Sequence, residues 1–177
     1  VKTLYRSWSG EGKKIMIEIK EKKDYRLVTN EMRLEFAAVS DNEAFARMAV
    51  AAFIAPLNPT LEELSDVKTA VSEAVTNAII HGYANKGCVT DRVQMNCELK
   101  GSILEVEIVD RGVGMEDVDR AMEPLFTTRP EWERSGMGFA FMEAFMDELE
   151  VFSEPDLGTT VRMYKKIGLG GWIVSEE

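Results

Sequence analysis

Apolar residues alternate with polar ones in five segments of the chain, and this period of two predicts five β-strands. In the first segment Met32, Leu34 and Phe36 alternate with polar and charged residues, so one face of that strand should be buried and the other exposed. Lys100 and Gly101 separate the second and third segments and predict a turn between them. The predicted strands cover about residues 31–38, 93–99, 104–108, 149–153 and 159–166.

Three other segments have the helical period. The pairs Ser40/Glu43 and Thr60/Glu63 have the spacing of a capping box, so each pair should begin a helix. The second helix should end at Gly82 in a glycine C-cap. Its expected core face consists of Leu64, Val67, Val71, Ala74, Val75 and Ala78. The predicted helices cover about residues 41–55, 61–82 and 139–146.

The order of these elements predicts an α+β fold. Strand, two helices, two strands, a weakly patterned segment over 115–135, a helix and two strands should form a two-layer sandwich, with the helices on one face of a mixed β-sheet. We expect residues 28–167 to be the folded domain. Residues 1–27 are expected to be a mobile extension or upstream sequence translated from too early a start, and residues 168–177 a flexible tail.

Composition and charge exclude several classes of function. The formal net charge is −10, and residues 1–27 contain 8 of the 21 Lys/Arg but only 4 of the 31 Asp/Glu, so the domain itself is more acidic still. Such a domain binds DNA phosphates poorly, so we expect no direct DNA binding and any effect on transcription to act through a protein partner. No apolar segment is long enough to span a membrane. Cys88 and Cys97 fit no metal spacing, which favours a cytoplasmic protein with reduced cysteines.

One part of the second helix has candidate chemistry. Glu73 and Asn77 lie four residues apart, on one helix face and opposite the apolar residues. A carboxylate and a carboxamide aimed into one space can serve as base and magnesium ligand beside a nucleotide. Two polar residues on a solvated helix face would give the same pattern.

Two glycine motifs follow this helix. Asp110-x-Gly112-x-Gly114 ends a predicted strand, where an aspartate can accept a hydrogen bond from an exocyclic amine while the glycines let the backbone approach a flat base. Gly136-x-Gly138 opens a helix, whose N–H groups can bind phosphate. Each motif alone also fits an ordinary turn or helix start. The order of the three motifs, with a long loop between the glycine pairs, indicates a nucleotide site.

This order resembles the Bergerat-type ATPase fold shared by DNA gyrase, Hsp90, sensor histidine kinases and the mismatch-repair ATPases. The likeness covers about residues 31–166, with 115–135 as the nucleotide lid. Within that fold the chain is most similar to the anti-sigma-factor serine kinases of the sporulation type. The segments that resemble this family are Asn30–Leu34, Asn42–Arg47, Ser72–Tyr83, Pro124–Glu131 and Glu133–Phe139.

The resemblance implies roles for individual residues. Glu73 would be the base that accepts the proton of a serine hydroxyl, Asn77 would hold Mg²⁺ at the phosphates of ATP or ADP, and Arg134 would stabilise charge on the transferred group. Asp110 would select adenine. The other implied nucleotide-binding residues are His81, Gly112, Gly114, Thr127, Thr128, Ser135, Gly136, Met137, Gly138 and Thr160. His81 on its own also fits a helix-end histidine without a ligand role.

The resemblance also implies partners. Arg47 and Thr76 would contact proteins, namely a sporulation sigma factor of the sigma F type and the anti-anti-sigma protein that is the kinase substrate. The family works as a homodimer, and the bound nucleotide biases the choice between the two partners. Two alternatives remain open: a stress-response kinase of the same group, and a nucleotide-gated binding module without phosphotransfer. The intact Glu73 argues against the second.

Overall fold

The strands and helices follow the expected order. The computed structural model describes residues 7–9, 29–83, 89–123 and 136–168. Its elements are β1 (Ser7–Ser9), β2 (Asn30–Ala37), α1 (Asp41–Ile54), α2 (Leu61–Asn77), β3 (Arg92–Lys100), β4 (Ile103–Asp110), α3 (Val118–Ala121), α4 (Gly138–Phe145), β5 (Glu148–Glu154) and β6 (Gly158–Lys166). A 3-10 turn, Ala55–Leu57, follows α1, and a π-helical turn, Ala78–Gly82, continues α2. The pattern of alternation did not predict β1 or α3.

The strands form one sheet in the order β1-β5-β6-β4-β3-β2, and every neighbouring pair is antiparallel. The α+β fold class is confirmed, but the expected mixing of parallel and antiparallel pairs is wrong. Two helices connect β2 to β3, and β3 therefore begins at the same end of the sheet at which β2 ends. The connection from β4 to β5 contains α3 and α4 and makes those two strands parallel, but β6 lies between them.

The two faces of the sheet differ in polarity, as expected for helices on one face. Buried residues such as Met95 and Ile108 lie side by side on the inner face. Also on this face, Lys165 donates a hydrogen bond to the Phe145 carbonyl at 2.6 Å and pairs with Asp66 at 3.1 Å, which ties α4 and α2 to β6. The outer face has charged residues, among them Glu98, Glu105, Glu107, Glu150 and Arg162. No helix in the described part of the chain is long and apolar enough to cross a membrane.

The start of α1 differs from its prediction. Ser40 makes no side-chain cap, so the first capping box is wrong. The carboxylate of Glu43 instead accepts a hydrogen bond from the Ser72 hydroxyl on α2 and pairs with Arg47 at 3.7 Å. The Glu43 carboxylate therefore binds the side chains of Ser72 and Arg47 and not the backbone N–H that it would bind in a capping box. The capping box at the start of α2 is confirmed, with hydrogen bonds of 3.1 and 2.7 Å.

The end of α2 also differs from its prediction. Gly82 lacks the positive φ of a left-handed C-cap. The chain instead continues through the π-helical turn, which the Tyr83 N–H closes on the Ala78 carbonyl at 3.2 Å. A Cβ at Gly82 would lie 2.7 Å from Oδ1 of Asp110. The glycine is therefore required because the helix end packs directly on the end of β4, and not because the helix stops there.

Candidate nucleotide-binding site

A cavity of about 580 Å³ lies between α2, the ends of β4 and β6, and the start of α4. Its volume is typical of small-molecule sites. The predicted site residues that line it are Asn77, His81, Asp110, Gly114, Gly136 and Gly138. Each of the three motifs thus contributes to one space.

Asp110 provides the buried acceptor of this cavity. It is 5% exposed, and the Gly112 N–H donates a hydrogen bond to its Oδ1 at 2.9 Å. Burial raises the pKa of Asp110 from 3.8 to about 6, although hydrogen bonds from the backbone at Gly112 and Thr159 act in the opposite direction. The folded state therefore holds this proton more tightly than the unfolded state. The free energy of unfolding should therefore be roughly 3 kcal/mol higher below pH 4 than above about pH 6, and this contribution is lost as the pH rises between the two values.

The turn after Asp110 depends on close backbone contacts. A Cβ at Gly112 would lie 2.0 Å from the Gly82 carbonyl oxygen, and one at Gly114, where φ is +66°, would lie 2.1 Å from the Glu154 carbonyl oxygen. The Val113 N–H donates to the Gly82 carbonyl at 3.0 Å. Glycine at both positions therefore lets the turn fit between the end of α2 and the β5–β6 hairpin.

Glu73 and Asn77 meet the start of α4. A Cβ at Gly138 would lie 3.1 Å from both polar atoms of the Asn77 side chain and 3.2 Å from Oε2 of Glu73. The shared helix face predicted for this pair is thus turned toward the Gly136–Gly138 motif. Gly136 has a φ of +58°, which glycine adopts readily, and α4 begins two residues later. The positive end of the α4 dipole borders the same cavity.

Other predicted site residues lie elsewhere. Thr160 does not line the cavity, since it alternates with Thr159 along β6 and faces the outer side of the sheet. Arg47 lies on α1 with its side chain 40% exposed, and Thr76 is partly buried on α2. Met137 precedes α4, next to the lining glycines. Thr127, Thr128, Arg134 and Ser135 lie outside the described residues.

Several lining residues were not predicted as site residues. Thr159 lies opposite Asp110 in the β4–β6 register and on the same face as Val161. Strand alternation could have identified it, because in the strand predicted over residues 159–166 it shares a face with the apolar Val161. Further lining residues are Val113, Met115, Glu116, Asp117, Arg120 and Phe139. Most of these lie in segments where hydrophobic patterning is weak.

Acidic and histidine side chains do not form a metal site of their own in the described ranges. No group of three or more His, Cys, Asp or Glu there could hold a metal ion. Magnesium often keeps several waters and binds one or two protein ligands together with substrate phosphates. Asn77, which lines the cavity at its α4 side, fits that limited role through its side-chain oxygen.

A known family of domains and a solved structure each match most of this chain. The family of the histidine kinase-like ATPase domain matches residues 36–165. A crystal structure of the RsbU and RsbW domains of a Mycobacterium tuberculosis protein has a similar fold, with a TM-score of 0.58 and 20% identity over 78% of this chain and 33% of that one. These matches agree with the fold described above.

Curated relatives define the family more narrowly. The anti-sigma F factor of Thermoanaerobacter sp. (strain X514) is 57% identical over 141 residues, which cover 79% of this chain and 96% of that protein. The anti-sigma F factor of Clostridium botulinum (strain Eklund 17B / Type B) is 58% identical over 140 residues, with the same coverage. That of Oceanobacillus iheyensis is 56% identical over 138 residues, 78% of this chain and 93% of that protein. The chain belongs to the anti-sigma F factor family.

Proposed function

We propose that this protein binds and inhibits a sigma factor of the sigma F type, and that it uses ATP to phosphorylate an anti-anti-sigma protein on a serine. The observation that supports the nucleotide part most directly is the cavity in which Asn77, Asp110 and Gly138 meet. The similarity to anti-sigma F factors of other bacteria supports the sigma-factor part. We also propose a cytoplasmic homodimer that acts in sporulation, on the strength of the family resemblance.

The two ends of the cavity suit the two ends of ATP. At one end the Asp110 carboxylate is available to accept a hydrogen bond from the adenine amine, and Val113 and Met115 offer apolar contacts to the base. At the other end Asn77 and Gly138 border the N-terminus of α4, where phosphate is favoured. Bound Mg²⁺ would neutralise phosphate charge at this second end.

Glu73 does not line the cavity itself but lies next to its proposed phosphate end. Its carboxylate is beside Gly138 and one helical turn from Asn77, whereas Asp110 lies beside Gly82. Phosphoryl transfer requires a group that orients the nucleophile and takes its proton. We assign this role to Glu73, acting on a serine hydroxyl of the bound partner, and we assign to Arg134 the stabilisation of charge on the transferred group.

Two assays test the proposed function. Incubation with labelled ATP and the anti-anti-sigma protein should produce phosphoserine on that protein, and a pull-down should retain a sigma factor of the sigma F type. Sigma retention without phosphoserine would support the nucleotide-gated binding module instead. Retention of a stress-response sigma factor in place of the sporulation one would support the other alternative.

Arg47→Glu should weaken sigma-factor binding at least about tenfold, because it reverses a half-exposed charge on α1 at the proposed contact surface. ADP affinity should remain the same, since α1 does not line the cavity. Titration calorimetry with each ligand measures both quantities. Arg33→Glu is the matched control, because Arg33 is also an exposed arginine paired with a glutamate, but it lies on β2. Equal effects of the two substitutions on sigma-factor binding would show that Arg47 is not part of the interface.

Adenosine should bind more weakly in acid, by roughly tenfold at pH 5 relative to pH 7. The ionised carboxylate of Asp110 is the stronger acceptor for the adenine amine, and its pKa is about 6. Adenosine is the suitable ligand because phosphate groups titrate in the same range. In Asp110→Asn the affinity should be lower and independent of pH. A wild-type affinity that stays constant from pH 7 to pH 5 would contradict this role of Asp110.

A further inference from the structure

The hydroxyl of Tyr83 connects two strands at the adenine end of the cavity. It donates a hydrogen bond to the Arg92 carbonyl at the start of β3, at 2.7 Å, and accepts one from the Arg111 N–H, at 2.8 Å. Arg111 is the first residue after β4 and follows Asp110 directly. Tyr83 itself is the first residue after the π-helical turn that continues α2.

Three consecutive backbone N–H groups after Asp110 therefore have defined acceptors. The N–H of Arg111 donates to the Tyr83 hydroxyl at 2.8 Å, that of Gly112 to the Asp110 carboxylate at 2.9 Å, and that of Val113 to the Gly82 carbonyl at 3.0 Å. Two of the three acceptors belong to the chain just after α2. Residues 82–83 thus hold the turn on both sides of the hydrogen bond that orients the Asp110 side chain.

We propose that Tyr83 is a positioning residue for adenine recognition, since its hydroxyl fixes the backbone at Arg111 and thereby the orientation of the Asp110 carboxylate. This inference rests on the proposed nucleotide function. Of these two side chains, Asp110 touches the base and Tyr83 acts through it. The end of α2 and the residues that follow it would then provide Asn77 at the phosphate end of the cavity and also set the geometry of its adenine end.

Loss of the Tyr83 hydroxyl should change the selectivity for adenine more than the stability of the protein. The hydroxyl lies beside a second cavity of about 320 Å³, lined by Tyr83, Arg92 and Arg111 among others. In Tyr83→Phe this space can admit water to the Arg111 N–H and the Arg92 carbonyl, so neither group is left without a partner. The phenylalanine ring keeps the apolar contacts, and we expect the variant to fold.

Purine riboside, which lacks the amine of adenosine, provides the test. Wild-type protein should bind adenosine about tenfold or more tightly than purine riboside, because only adenosine can donate to Asp110. In Tyr83→Phe this ratio should fall about fivefold, mainly through weaker adenosine binding. Tyr164→Phe is the control, since it removes a tyrosine hydroxyl from the outer face of the sheet, opposite Glu105 and Glu148 in the register.

The outcomes separate the two proposals. A wild-type ratio near one would overturn adenine recognition by Asp110, and with it the proposed nucleotide function at this end of the cavity. A normal wild-type ratio that Tyr83→Phe leaves unchanged would overturn only the role of Tyr83. Equal weakening of both ligands in Tyr83→Phe would also overturn it, because a merely structural effect does not distinguish them.

Amide hydrogen exchange gives a measurement that does not depend on ligand binding. The Arg111 amide should be protected in the wild-type protein and should exchange at least about tenfold faster in Tyr83→Phe. The Val113 amide serves as an internal reference, because its acceptor is the Gly82 carbonyl, which the substitution retains. An Arg111 amide that is unprotected in the wild-type protein would overturn the inference.

Discussion

Glu73→Gln should lower serine phosphorylation of the anti-anti-sigma protein by about a hundredfold or more, which is the usual contribution of a general base. Glutamine has the same shape, so it can occupy the space beside Gly138, but it cannot take the hydroxyl proton. ADP affinity should stay the same or rise, since a negative charge near the phosphates is removed. Initial rates with labelled ATP and ADP titrations measure the two effects.

Glu62→Gln is the matched control for this prediction. Glu62 lies in the first turn of the same helix and is exposed. Its substitution removes an identical charge far from the cavity and should leave the phosphorylation rate unchanged. If Glu73→Gln retained the wild-type rate, the proton would have to be accepted elsewhere, and the assignment of Glu73 as the base would be wrong.

Gly114→Ala should destabilise the protein by about 3 kcal/mol or more and abolish nucleotide binding. The left-handed backbone at this position costs an alanine about 1 kcal/mol. Its Cβ would also lie 2.1 Å from the Glu154 carbonyl oxygen, so the turn or the β5–β6 hairpin must move. Urea denaturation monitored by fluorescence measures the free energy of unfolding, and ADP titration measures the effect on the cavity.

Gly101→Ala separates strain from crowding. Gly101 has almost the same φ as Gly114, +63° against +66°, but a Cβ there would have nothing within 4 Å. This control should therefore lose only about 1 kcal/mol and bind nucleotide normally. Equal losses of stability in the two variants would show that the contact with Glu154 is unimportant.

Local patterns predicted the elements well, because each element is determined by nearby residues. The second capping box is formed by residues three apart, and its two hydrogen bonds are present. Glu73 and Asn77 share a face because a helix fixes that relation, and a Cβ at Gly138 would lie within 3.2 Å of both side chains. The order of the three motifs was sufficient to predict that they meet, and one cavity unites them.

Relations that depend on distant residues could not be predicted in the same way. Gly82 has the spacing of a helix cap, but its role is set by Asp110, which arrives from another strand. The antiparallel arrangement depends on β6 lying between β4 and β5, and no local pattern specifies that position. Thr159 was within reach of prediction, because it alternates in phase with Val161, whereas Thr160 does not.

The position of β6 has a consequence for how the protein completes its folding. The four central strands of the sheet form two local hairpins, β3–β4 and β5–β6, and the two hairpins join where β4 meets β6. Asp110 belongs to one hairpin and Thr159 to the other, and they lie opposite each other at this junction. Neither hairpin alone contains the cavity, so a ligand that binds there stabilises their union. At a concentration a hundred times its Kd, that stabilisation is about 2.7 kcal/mol.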